Sequence, residues 1–197
     1  MPTSLEPDPE FGWHRPPPEG YFAEDLDRIP GLPAHAELID GSLVLRSIQS
    51  AFHSRAVSLL ESGLDVAAPW ERFRVSREMS VVLGRRQRPT PDLVVVHAAA
   101  EINAEATWYP ADAVLLAVEV VSPDSEERDR ERKPQLYAKA GIKYFWRVEN
   151  ADGRMVIYAY ELDPAAVQYV PVGIFHDRVN VAYPYDIDID LTEIDRM

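Results

Sequence analysis

Two acids at the edges of apolar runs carry the chemistry in this sequence. Pro91-Asp92 opens into Leu93-Val94-Val95-Val96, and Val114-Leu115-Leu116-Ala117-Val118 delivers Glu119 ahead of Val120-Val121. Both runs are short, apolar and rich in β-branched residues, the pattern of a strand buried on both faces. A carboxylate placed there is costly unless a cation receives it. Neighbouring strands lie about 4.8 Å apart, so acids at matching heights can share one ion. A hard cation such as Mg²⁺, or Mn²⁺ in its place, needs few protein oxygens and keeps several waters for substrate and nucleophile. The backbone carbonyl of Val120 is a further ligand candidate. Taken singly, Asp92 reads equally as a turn cap and Glu119 as a strand-end salt bridge, and spacing alone favours those readings.

The elements that must position these acids follow from the pattern around them. Prolines crowd residues 1–20, which read as a flexible or extended arm ahead of one domain over 21–197. A short helix is predicted between Tyr21 and Leu32, ending at Pro30-Gly31. Ala36 to Ile39 and Ser42 to Leu45, joined by Asp40-Gly41, predict a hairpin. Ser47 or Ser50 then caps a helix reaching about Val66. Phe73–Val75 and Ser80–Leu83 read as strands, and the stretch from Ala98 to Pro110 as a loop between the two central strands. Pro134 through Ala140 reads as a helix closed by Gly141, so Lys133 falls at a helix start or a kink. Ile142–Val148, Met155–Tyr160, Val167–Val172 and Val179–Tyr183 complete the strands. The predicted fold is α/β, a central mixed sheet with helices on its faces and additional C-terminal strands.

Composition sets outer bounds. Hydrophobic residues make up 46% and aromatic residues 10% of 197, globular values. There is no cysteine, which excludes disulfides and zinc sites built on thiolates. No apolar stretch approaches the roughly 20 residues of a membrane span, and no signal-peptide pattern opens the chain, so a cytoplasmic protein is expected. His14, His35, His97 and His176 lack metal-ligand spacing. Neither a phosphate-binding glycine loop nor a Gly-x-Ser-x-Gly elbow is present. Net charge is −13, from 20 basic and 33 acidic residues, which argues against a general nucleic-acid binder. Arginines nonetheless gather ahead of Asp92, and Arg85, Arg86 and Arg88 are candidate phosphate contacts, weighed evenly against a solvated hairpin.

The ordered series resembles a known family. Pro91-Asp92 followed by Glu119-Val120-Val121 is similar to the PD-(D/E)XK nucleases, whose motif is Pro-Asp and then Asp/Glu-x-Lys on paired strands. Glu37-Leu38-Ile39-Asp40-Gly41, Pro91 to Val96, Val118 to Pro123, Asp129, Lys133, Leu136-Tyr137-Ala138, Ala140-Gly141-Ile142 and Tyr144-Phe145-Trp146 together resemble the restriction-endonuclease-like family called Uma-two. A weaker echo runs from Ile187 to Leu191.

The resemblance implies a restriction-endonuclease-like fold and a metal-dependent endonuclease acting on phosphodiesters, DNA first. Asp92 and Glu119 would hold Mg²⁺ or Mn²⁺, and Glu37 would be the acid from the N-terminal part. Val121 stands where the superfamily motif has lysine, and the resemblance implies that Lys133 supplies that cation from the following helix. His53, Gln135 and Tyr137 are accessory candidates, although His53 reads equally as a bonded helix histidine and Tyr137 more readily as a core-edge tyrosine. A homodimer is expected by analogy with nucleases that cut two strands. The rival expectation is a nuclease fold without cleavage activity, serving as a binding or assembly module.

Overall fold

The computed structural model describes residues 16–100 and 105–197, so the arm expected over 1–20 lies outside the described residues up to position 15. Where a helix is predicted near Tyr21 there is one 3₁₀ turn, Ala23–Asp27. Pro30 and Gly31 follow too closely for a longer helix to form.

The hairpin forms as its turn chemistry dictates. β1 (Glu37–Ile39) pairs antiparallel with β2 (Ser42–Val44), and Ile39 faces Ser42 across the two-residue turn. Asp40 and Gly41 both take positive φ, 54° and 79°, as a two-residue turn of this kind requires. Gly41 has a second reason to be glycine, since a Cβ there would occupy the place of the Arg86 guanidinium.

α1 (Ala51–Ala67) starts at Ser50, whose hydroxyl accepts the His53 N–H at 3.2 Å. It buries Ala56, Val57, Leu60 and Leu64 along one stripe. Then come β3 (Phe73–Arg77), β4 (Ser80–Val82), β5 (Leu93–His97), β6 (Trp108–Pro110) and β7 (Val114–Val120). α2 (Lys133–Lys139) is followed by β8 (Tyr144–Ala151), β9 (Arg154–Asp163), β10 (Gln168–Phe175), β11 (Arg178–Val181) and β12 (Ile187–Asp190).

Six strands form the main sheet in the order β10-β9-β8-β7-β5-β3. Only the β7–β8 contact is parallel, so the sheet is mixed as predicted. Alternate residues of its central strands serve two cores. Leu93, Val95, Leu116, Val118 and Trp146 face α1 and the β11–β12 pair, while Val94, Val96, Ala117 and Phe145 face Tyr137 of α2. Each large side chain fully buried in this way contributes about 1.5–3 kcal/mol. Gly63 allows close approach of β12 to α1, because a Cβ there would meet the Ile189 side chain at 2.6 Å.

Two short pieces escape the sequence pattern. β6 lies inside the stretch predicted to be loop and pairs in parallel with β4. β12 covers the segment noted above only as an echo of the family pattern, and it pairs with β11.

Candidate active site

Strand register brings the two motif acids together. Leu93 pairs with Val118 in the antiparallel β5–β7 ladder, and one step further places Asp92 opposite Glu119. Alternation along β7 turns Glu119 to the α2 face, since Ala117 lies in that core and Val118 in the other. Both acids are buried, Asp92 to 2% and Glu119 to 1% exposure. Glu37 arrives from the start of β1, where Thr90 N–H donates to its Oε1 at 2.9 Å.

Lys133 is delivered by an irregular helix. The chain is already helical from residue 126, and residues Arg128–Arg132 make a π turn in which the Lys133 N–H bonds to the Arg128 carbonyl. Of the two expectations for Lys133, a helix start or a kink, the π turn makes it a kink within a longer helical stretch. Pro134 offers no N–H and crowds the turn before it, and the widened π turn accommodates both. Lys133 is buried, with its Nζ 3.0 Å from Glu37 Oε1, 3.0 Å from Glu119 Oε2 and 3.1 Å from Asp129 Oδ1. One turn later, Tyr137 donates its hydroxyl to Glu119 Oε1 at 2.5 Å. That makes Tyr137 more than a core-edge residue. The hairpin turn is tied to this helix by Arg132, whose Nε donates to Asp40 Oδ2 at 2.8 Å.

Asp92 is served separately. Its Oδ2 accepts the Val120 N–H at 2.7 Å, its Oδ1 meets the Arg46 guanidinium, and His53 Nε2 stands 3.2 Å from that same Oδ1. The partner that Val120 offers Asp92 is thus its N–H. Arg46 and Asp129 are absent from the sequence-derived site set. Asp129 carried a signal, four residues before Lys133 on one helical face, whereas Arg46 carried none.

Burial and charge shift these groups in opposite directions. Burial pushes Glu119 up; Lys133 opposes this, but Asp129, Asp92 and Glu37 reinforce it, and its pKa stands well above the ordinary value. Asp129 is raised for the same first reason. Asp92 is also penalised by burial, yet its His53 contact, Arg46 and Lys133 hold it below the usual carboxylate range. Burial works against the charge on Lys133, and the four surrounding acids overcome it, keeping the ammonium protonated.

The donor chemistry suits a divalent cation. Four buried carboxylates, Glu37, Asp92, Glu119 and Asp129, face two permanent cations, Lys133 and Arg46, which leaves two negative charges uncompensated unless protons or an ion balance them. Asp129 Oδ1 is met by the Lys133 ammonium at 3.1 Å and makes no further hydrogen bond. Hard oxygen donors select ions of the Mg²⁺ and Mn²⁺ kind. Among the described residues, no three acids or imidazoles are yet disposed around a common point. The space they enclose is about 10 Å³.

The remaining candidates lie elsewhere. Arg88 is buried and spends its guanidinium on Asp27, at 2.8 Å through each of two nitrogens, and on the Ala23 carbonyl at 3.0 Å. Arg86 donates to the Asp40 carbonyl, and Arg85 stacks over the Phe22 ring. Of the three candidate phosphate contacts, Arg88 is thus engaged within the fold. Gln135 accepts from Arg132 and lines a groove of about 530 Å³ on the other side of α2, with Phe145, Tyr160 and Tyr169.

The model of the Uma2 family, described as "Putative restriction endonuclease", matches residues 23–191. No curated protein gives a significant match. Among solved structures, the chain is similar to the crystal structure of "a putative nuclease belonging to DUF820" from Anabaena variabilis ATCC 29413. The TM-score is 0.63 at 16% identity, covering 82% of this chain and 88% of that one, a likeness of fold.

Proposed function

The chain belongs to the Uma2 family, and from that premise we propose that it is a metal-dependent endonuclease acting on DNA through Asp92, Glu119, Glu37 and Lys133. The observation that carries the reading is the convergence of Glu37, Glu119 and Asp129 on the buried Lys133, with Asp92 opposite Glu119 in the strand register. A scaffold gains no stability from such a cluster, because desolvating several charges costs more than a well-packed apolar core.

In this reading Asp92 and Glu119 hold the ion, with the Val120 carbonyl as a further donor and Glu37 completing its surroundings. A divalent ion supplies two things there: a water of lowered pKa and neutralisation of charge on the scissile phosphate. Lys133, held protonated by its acids, places a positive charge beside that phosphate and orients the attacking water. Tyr137 fixes the Glu119 carboxylate through its hydroxyl. His53 and Val120 N–H fix Asp92 from the other side. Asp129 joins the set as a fourth acid. Cutting both strands of a duplex takes two such centres, so a homodimer belongs to the same proposal.

The test is nicking of supercoiled DNA with Mg²⁺ or Mn²⁺, comparing the wild type with Asp92→Ala, Glu119→Ala and Lys133→Ala. Loss of nicking in all three is expected, and activity that survives all three sinks the assignment. A second reading, a binding module without cleavage, is favoured by the net charge of −13 and by Val121 at the motif's lysine position. It predicts DNA or protein binding with no nicking under any metal.

A further inference from the structure

Lys133 bridges three of the four buried acids, whereas Asp92 is met by Arg46. The two cations are held differently. Lys133 sits on α2, buried, with three carboxylate oxygens within 3.1 Å. Arg46 sits on the irregular stretch between β2 and α1, where Leu45 is 47% exposed and Ile48 wholly so. That stretch loses little apolar burial when it shifts.

The guanidinium itself stands between two acids. Nη2 rests on Asp92 Oδ1, while Nη1 is buried without a hydrogen bond and lies 3.9 Å from Glu78 Oε1. The Glu78 side chain is 39% exposed, and its backbone N–H donates to the Asp92 carbonyl at 3.1 Å, so this second acid is fixed beside the first. The enclosed space of about 10 Å³ takes roughly one water. An ion that retains several waters enters only when a group moves. Arg46, with 14% of its side chain exposed, is more accessible than His53, the other group on Oδ1, at 6%.

We propose that Arg46 and a divalent cation compete for Asp92, with Arg46 acting as a latch that passes to Glu78 when the ion takes its place on Oδ1. The inference rests on the reading of Asp92 as a metal-binding acid. Two cations on one carboxylate oxygen repel each other, and Glu78 gives the displaced guanidinium a carboxylate within reach, so the exchange keeps every positive charge paired.

Mn²⁺ binding, followed by loss of the free-ion EPR signal, tests the latch without any assay of activity. Arg46→Ala and Arg46→Gln are expected to bind Mn²⁺ at least tenfold more tightly than the wild type. Glu78→Gln, a partly exposed change that leaves the fold intact, is expected to weaken binding severalfold alone and clearly less in the Arg46→Gln background. Equal or weaker binding in the Arg46 variants, with Asp92→Asn still abolishing it, overturns the latch and leaves the metal site standing. Absence of Mn²⁺ binding in the wild type and every variant overturns both.

Discussion

Lys133 reaches Glu119 from α2, Nζ to Oε2 at 3.0 Å, and so puts a cation beside the strand acid although Val121 occupies the motif's usual lysine position. A side chain with a four-carbon stem can approach a strand end from a neighbouring helix as well as from the strand. What matters physically is a positive charge at the carboxylates, not the sequence slot that supplies it.

Removing that charge is expected to be expensive. Lys133→Met leaves Glu37, Glu119 and Asp129 buried without their cation, and breaking a buried pair in this way costs about 3–5 kcal/mol. Denaturant unfolding at neutral pH measures it. The loss should shrink as pH falls, because the acids can then take up protons. A variant as stable as the wild type would place Lys133 outside the cluster.

The raised acids make a pH prediction with a definite sign. Glu119 has a folded pKa well above its ordinary 4.5, so the fold binds its proton more tightly than the unfolded chain does. Its contribution is present below pH 4.5 and is lost as pH rises through the raised value. With EDTA present, stability should decline over that window, and Glu119→Gln should flatten the decline. Asp92, with a lowered pKa, contributes in the opposite sense, above its ordinary 3.8 and less as pH falls through its depressed value. Mn²⁺ binding should release protons, read by calorimetry in buffers of different ionisation enthalpy.

Tyr137→Phe deletes one hydroxyl and preserves the ring against Phe145. The lost hydrogen bond to Glu119 should cost about 1–3 kcal/mol, as leaving a buried acceptor unsatisfied does. Nicking should fall while DNA affinity stays unchanged, since the hydroxyl acts through Glu119. Unchanged stability and unchanged nicking would return Tyr137 to a purely packing role.

Arg88→Met separates a structural arginine from a phosphate-binding one. The Arg88 side chain is 5% exposed and Asp27 49%, so loss of this half-screened pair should cost about 1–3 kcal/mol. DNA affinity and its salt slope should not change. A slope reduced by about one unit would instead restore Arg88 as a phosphate contact.

Much of this arrangement is written in the sequence because it depends on near neighbours. Asp40-Gly41 specifies its turn through φ, the runs at Asp92 and Glu119 specify buried strands through composition, and Ser50 specifies the start of α1 through its cap. The placement of Lys133 four residues before Tyr137 predicts their shared face, and both do reach Glu119. Other features were decided only by the tertiary structure. The π turn that aims Lys133 and the short β6 depend on packing that no local period reports.

Arginine makes the contrast sharpest. Arg88 and Arg46 look alike in sequence, yet Arg88 is spent on Asp27, 61 residues away, and Arg46 on Asp92, 46 residues away. Local patterning declares which positions are buried and which face they share. The partner of a buried charge is set by the chain segments that folding brings within a few ångströms, and that is a property of the assembled sheet and helices alone.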